Sequence, residues 1–336
     1  MIDQLIERRP GAGQGRARGG LADYLAIARP DHWLKHVFVV PGIVLAHLLV
    51  AQGAPLPWVT IALGFVVAAL ISSANYVINE WLDAGFDQHH PMKSARPAVV
   101  KALSPRLVYL EYALLSLAGL GLAALISPAL FVVALLFWLS GIVYNVEPSR
   151  SKDKAYVDVA TEALNNPIRL VLGWILINPA SLPPVSLVIA YWAGGAFLMS
   201  IKRLAEYRTI VGSHNTAVLH LYRRSFQQYT ENKLLIQSFL YAQLASFFIA
   251  VFLIKYRIEY ILSFPLFAAL FAIYLALGLR LGSTAQTPEK LFKEGKLITV
   301  VVCLVAALVL LTIFDVPVLQ FLSVPHFIGL KEAAPF

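Results

Sequence analysis

Stretches of about twenty almost unbroken apolar residues, each followed by a polar connection, recur nine times along the chain. They lie near residues 33–52, 58–80, 107–127, 128–146, 155–177, 184–204, 233–256, 259–279 and 297–316. Each is long enough to carry a helix across roughly 30 Å of hydrocarbon. The chain is therefore expected to be all-α, a polytopic membrane bundle of nine transmembrane helices over residues 29–316. Residues 1–28 are expected to be a flexible cytoplasmic tail, because their first twenty are polar and glycine-rich with no apolar core of a cleavable signal. Residues 317–336 are expected to form an interfacial segment.

Composition agrees: 59% of residues are hydrophobic and 14% charged, with a mean hydropathy of +0.71. No soluble domain of this size needs so much apolar matter. The net charge of +8 raises nucleic acid as a partner, yet its distribution argues for membrane topology instead. Of 27 Lys and Arg, 23 fall within 1–35, 93–106, 150–154, 202–233 and 280–296, while 51–57, 127–128 and 178–184 carry none and Lys255, Arg257 and Lys331 are the exceptions on that side. By the positive-inside rule the N-terminus and the connections 81–106, 147–157, 205–232 and 280–296 are cytoplasmic, and no nucleic acid is required.

Asn79, Asp83 and Asp87 leave the second apolar run at a spacing of four. On a helix that spacing stacks three oxygen donors on one face, a set suited to a hard divalent cation such as Mg²⁺. Lys93 and Arg96 follow closely, and metal-bridged phosphates need such cations for the oxygens the ion does not reach. His89 and His90 are adjacent, share no helix face and have no cysteine partners, so zinc is set aside. The single cysteine, Cys303, sits in the last apolar run and is expected to pack.

Asp158, Glu162, Asn165, Asn166 and Arg169 run into the fifth apolar stretch at a mostly i, i+4 spacing. Charges at such depth are costly, so they should face a wet cavity or a protein interior. The plainer alternative is a Glu162–Arg169 ion pair that pins two helices. Lys202 and Glu206 stand one turn apart where the sixth stretch ends, on the same side as Asp83 and Asp87.

With these residues in view, the chain resembles the UbiA-type superfamily of intramembrane prenyltransferases, whose first Mg²⁺-binding motif is matched by Asn79, Asp83 and Asp87. Within it the chain is most similar to the decaprenyl-phosphate phosphoribosyltransferase branch. The likeness rests on Arg29-Pro30-Asp31-His32-Trp33-Leu34-Lys35-His36, His90-Pro91-Met92-Lys93-Ser94-Ala95-Arg96-Pro97 and Tyr156-Val157-Asp158-Val159. It continues through Ile168-Arg169, Lys202-Arg203-Leu204-Ala205-Glu206, Tyr229-Thr230 and Pro288-Glu289-Lys290. The chain departs from the family pattern at Glu80, where Asp usually follows the motif's Asn, and in a longer, more charged Asn145–Lys154 segment.

The resemblance implies a nine-helix catalytic bundle in a bacterial inner membrane with a cytoplasmic active site. It implies Mg²⁺-dependent transfer of 5-phosphoribose from 5-phosphoribosyl 1-diphosphate to a polyprenyl phosphate, with diphosphate leaving. Asn79, Asp83 and Asp87 would hold metal, with Asp83, Asp87, Asp158 and Glu162 as catalytic carboxylates. Lys35, Lys93, Arg96, Lys154, Asn166, Arg169, Lys202, Arg203 and Glu206 would bind substrate, with either Lys152 or Lys154 facing the site. The runner-up is the superfamily's transfer of a prenyl group from a prenyl diphosphate to an aromatic or other acceptor. A second aspartate-rich motif usually accompanies that chemistry, and here the corresponding place reads Lys202 to Glu206. A membrane transporter is the lesser alternative, and no internal repeat supports it.

Overall fold

The computed structural model describes residues 17–90, 93–213, 216–286 and 288–319, and among these every regular element is helical. The first crossing is composite: α1 (Leu21–Ile27), a 3₁₀ stretch (Pro30–Val39) and α2 (Val40–Leu49). The long α3 (Trp58–Asp87) follows, then the short α4 (Pro97–Val100) and the antiparallel pair α5 (Pro105–Ile126) and α6 (Pro128–Asn145). Next come α7 (Val157–Ala163), α8 (Asn165–Ile177), α9 (Val185–Ser213) and the short α10 (Thr216–Tyr222). The chain closes with α11 (Glu231–Tyr256), α12 (Phe264–Gly278), which extends the 3₁₀ turn Ile258–Ser263, and α13 (Gly295–Ile313).

Eight of these segments are long and apolar enough to cross a membrane, against the nine expected. The difference lies at 155–177, which is not one helix but α7 and α8 meeting at Leu164. Pro167 explains the break, since it offers no N–H to the Ala163 carbonyl and its ring crowds that oxygen. Side chains occupy backbone acceptors around the break: Asn165 Nδ2 donates to the Glu162 carbonyl at 3.0 Å, and Arg169 Nη1 to the Asn165 carbonyl at 3.1 Å. Broken helices inside a membrane persist where neighbouring groups satisfy the backbone in this way.

α2 and α8 cross unusually closely because both present glycine. A Cβ on Gly42 would lie 2.0 Å from the Leu170 carbonyl oxygen, and one on Gly173 would lie 2.1 Å from that of Val39. Such small-residue contacts supply packing where lipid offers no hydrophobic drive between helices. The outward faces are apolar throughout, as with Leu117 and Leu125 on α5 and Val302 on α13. Cys303 is also exposed on α13, so it does not pack within the bundle as expected.

Residues 17–28 are docked rather than tail-like. Gly19 N donates to the Ala102 carbonyl at 3.2 Å, Tyr24 OH accepts from Ser104 N at 2.8 Å, and Ile27 is fully buried between α3 and α4 residues. The remainder of the expected tail, 1–16, and most of the expected interfacial segment, 320–336, lie outside the described residues.

Candidate active site

α3, α6, α8, α9 and the loops at one end of the bundle surround a cavity of about 360 Å³. Among the described residues ten Lys and Arg line it against five Asp and Glu. A chamber so biased toward positive charge is built for a polyanion.

The acidic helix face forms as the spacing predicts. Asn79, Asp83 and Asp87 all line the cavity, and Asn79 Nδ2 donates to Asp83 Oδ2 at 3.3 Å. Glu80, at the family's variant position, points elsewhere: it is buried, and its Oε1 accepts from Ala98 N of α4 at 3.4 Å. Each acid of the motif carries a cation. Asp83 Oδ1 lies 2.6 Å from Lys152 Nζ and 2.9 Å from Arg150 Nη2, and Asp87 Oδ2 lies 2.5 Å from Arg96 Nη1. Asn145 Oδ1 accepts from both Asn79 Nδ2 at 2.5 Å and Lys152 Nζ at 2.8 Å, tying α6 to the motif.

Burial pushes the Lys152 ammonium down to about 8, with Asp83 opposing the fall. Burial also lowers Lys93, which Glu206 and Asp87 resist, and Lys93 donates to Tyr222 OH with Glu206 Oε1 3.8 Å away. His90 is pushed to about 3 by burial and then by Lys93, so it is neutral at pH 7.

The motif fits a hard cation by the chemistry of its donors. It offers only oxygens, and Asn79 Oδ1 and Asp87 Oδ1 accept no hydrogen bond among the described residues. No group of three or more His, Cys, Asp or Glu side chains suited to a metal occurs among those residues, so any ion would depend on this mixed set.

The second constellation divides within α7, which carries both Asp158 and Glu162 ahead of the break at Leu164. Glu162, Asn165, Asn166 and Arg169 line the cavity, whereas Asp158 does not. Asp158 is fully buried behind the wall, accepting from Tyr229 OH at 2.7 Å, Ser225 Oγ and Arg223 Nη2 at 3.2 Å, and Arg203 Nε at 3.3 Å. It ties the 223–229 loop to the bundle and does not line the cavity, where the sequence expectation placed it as a catalytic carboxylate. Arg203, only 1% exposed, is the hub: it also meets Glu162 Oε2 at 2.6 Å and Glu206 Oε2 at 2.9 Å. Glu206 therefore supports Arg203 and Lys93 from behind the wall. The Glu162–Arg169 pair does not form, because Glu162 is taken by Arg203, Tyr144 OH at 2.7 Å and Lys202 at 3.7 Å. Arg169 instead stacks 4.9 Å over the Phe137 ring.

Lys35, Lys93, Arg96, Lys202 and Arg203 all reach the cavity. Lys154 does not, being exposed outside it, and Lys152 takes the place between the two candidates. Sequence reasoning missed Arg29, Tyr144, Asn145, Arg150, Tyr222 and Arg223, all of which line the site. Their one signal was the clustering of basic residues in the connections at this end of the bundle.

The sequence model of the UbiA prenyltransferase family matches residues 39–297. The chain belongs to the UbiA prenyltransferase family. It is accordingly a membrane-embedded transferase, which sets the transporter alternative aside. Decaprenyl-phosphate phosphoribosyltransferase of Mycobacterium tuberculosis (strain H37Rv) is 26% identical over 220 residues, covering 64% of this chain and 68% of that one. The enzyme of that name from Mycolicibacterium smegmatis is 25% identical over 234 residues, covering 68% of each. In fold, the chain is similar to a UbiA homologue from Archaeoglobus fulgidus solved with GPP and Mg²⁺, with a TM-score of 0.64 and 22% identity. That likeness covers 86% of this chain and 99% of the archaeal one.

Proposed function

We propose that this UbiA-family member transfers 5-phosphoribose from 5-phosphoribosyl 1-diphosphate to a polyprenyl phosphate, in a Mg²⁺-dependent reaction at the cytoplasmic face of a bacterial plasma membrane. The observation that carries this reading is the twofold excess of cations over carboxylates in the cavity wall. A phosphoribosyl donor brings three phosphates and the acceptor a fourth, so the anionic load matches the wall better than a single prenyl diphosphate would. The names of the mycobacterial relatives point the same way. The orientation follows from the basic connections, which gather at the cavity's end.

In this reading the bond from the anomeric carbon to the diphosphate oxygen breaks, and its electron pair leaves on diphosphate. A lone pair of an acceptor phosphate oxygen forms the new bond to that carbon. The acceptor oxygen is already anionic, so no strong general base is needed, and catalysis is positioning plus charge stabilisation. Asn79, Asp83 and Asp87 would hold Mg²⁺, which when bound supplies positive charge to the departing diphosphate. Lys93, Arg96, Arg150 and Lys152 surround that end of the cavity and would bind the diphosphate oxygens. Glu162 and Asn166 also line the cavity and would meet ribose hydroxyls.

The test is to supply purified protein with radiolabelled 5-phosphoribosyl 1-diphosphate and polyprenyl phosphate, with and without Mg²⁺. Label should pass to the lipid only with the metal present. Consumption of labelled prenyl diphosphate in its place would overturn the reading in favour of prenyl transfer.

A further inference from the structure

Most cations in the cavity wall already hold a carboxylate. Arg96 has Asp87, Arg150 and Lys152 share Asp83, and Arg203 has Glu162. Lys35 and Arg169 form no ion pair among the described residues. Lys202 reaches only Glu162, at 3.7 Å, and Arg203 holds that carboxylate more closely.

These three cations come from different elements and converge. Lys35 stands on the 3₁₀ stretch of the first crossing, Arg169 on α8 and Lys202 on α9. Lys35 Nζ lies 3.4 Å from the hydroxyl of Tyr76, which sits on α3 three residues before Asn79. Tyr76 is within the electrostatic reach of both Lys35 and Arg169, and Lys202 is within that of Lys35. Arg169 is 5% exposed, yet its Nε has no hydrogen-bond partner. A guanidinium kept charged at that depth without a counter-ion is an arrangement that a bound anion completes.

The surroundings state what kind of anion. Leu34 and Val37, which flank Lys35 on its 3₁₀ stretch, are 50% and 53% exposed and line the same cavity with Phe38. An apolar wall beside uncompensated charge suits an anion with a hydrocarbon tail.

We propose that Lys35, Arg169 and Lys202, with the Tyr76 hydroxyl, form a second anion subsite, separate from the Asp83–Asp87 end, that takes the monophosphate head of the lipid acceptor. This deepens the function proposed above and rests on it for the identity of the lipid. Tyr76 precedes Asp83 by seven residues, or about 10 Å along the helix. The donor's anomeric carbon would then lie between the diphosphate at one end and the attacking phosphate oxygen at the other, the order that an in-line displacement needs.

The experiment measures lipid binding without any donor, so it does not depend on turnover. Full-length protein in nanodiscs is titrated with polyprenyl phosphate and, separately, with the uncharged polyprenol of the same length. The wild type should favour the phosphate at least tenfold. Lys35→Met and Arg169→Met should reduce that preference to within twofold, Arg169→Lys should keep most of it, and Arg96→Met should leave it intact. A wild type with no preference, Met variants that retain it, or an equal loss in Arg96→Met would each overturn the subsite. Should Arg169→Met fail to fold, Lys35→Met decides alone, since Lys35 is only partly buried. If the preference behaves as expected while phosphoribosyl diphosphate is not consumed, the subsite stands and the donor assignment falls.

Discussion

Lys152 Nζ lies 2.6 Å from Asp83 Oδ1, so a loop lysine that no periodicity announces is joined to the central carboxylate of the helical motif. Lys152 is 4% exposed, and burial lowers it from 10.5 to about 8. The lowered value has a consequence for stability with a definite sign. Below about pH 8 the lysine is protonated in both folded and unfolded chains, and its burial is then most costly. Between about pH 8 and 10.5 the unfolded chain holds the proton and the folded one does not, so stability rises with pH by about 3 kcal/mol. Lys152→Met should lack that rise. Thermal unfolding of metal-free protein across pH 7 to 11 in a fixed detergent measures the difference, and parallel curves for the two proteins would contradict it.

Asp83, partly exposed to the cavity, and Asp158, fully buried, are each held by two basic residues, yet they should fail differently. Asp83→Asn removes a donor from the proposed metal set and is expected to lower turnover at least a thousandfold in the labelled-donor assay. Asp158→Asn leaves Arg203 and Arg223 partly uncompensated behind the wall, which should cost about 3 kcal/mol of stability. Its kcat per folded molecule should stay within tenfold of wild type. Loss of turnover in Asp158→Asn without a fall in unfolding temperature would restore Asp158 as a catalytic carboxylate.

The contrast between those two acids shows what the sequence could express. The face of α3 was legible because Asn79, Asp83 and Asp87 belong to one continuous helix, where a spacing of four fixes direction. The same reasoning carried Asp158 into the cavity with Glu162, and the two do stand one turn apart on α7. Hydrogen bonds from Tyr229, Ser225 and Arg223, on a loop that no local spacing foretells, hold Asp158 behind the wall instead. Asn145, Arg150, Lys152 and Arg223 were illegible in position for a related reason. They lie at helix ends or in irregular connections, where direction is set by tertiary hydrogen bonds rather than by a period. The membrane class and the crossings themselves were plain, since a hydrocarbon slab imposes length and polarity on every segment.

The crossing of α2 and α8 should be intolerant of a single methyl group. A Cβ on Gly42 would sit 2.0 Å from the Leu170 carbonyl oxygen, which belongs to the backbone and cannot swing aside. Gly42→Ala must push the helices apart, and overpacking of this kind costs about 1–3 kcal/mol. Gly85→Ala, where a Cβ meets nothing within 4 Å, is the control and should be neutral or slightly stabilising. The two unfolding temperatures in one detergent test the point. Equal values would mean that the close approach is not required.

Pro167 offers the sharpest test of whether the broken helix exists to build the site. Replacing it with Ala returns an N–H to the Ala163 carbonyl and removes the ring that crowds it, so α7 and α8 gain a reason to join. Helix continuity favours the variant by up to about 3 kcal/mol, and its unfolding temperature should not fall. Joining the two helices would, however, rotate Glu162 relative to Asn166 and Arg169. Glu162 would then lose its 2.6 Å contact with Arg203, and the cavity would lose the arrangement on which donor and acceptor positioning depends. Pro167→Ala is therefore expected to lower kcat/KM at least tenfold in a protein as stable as wild type. Full activity in the variant would mean that the break is incidental, whereas an unfolded variant would mean that the proline stabilises the bundle in its own right.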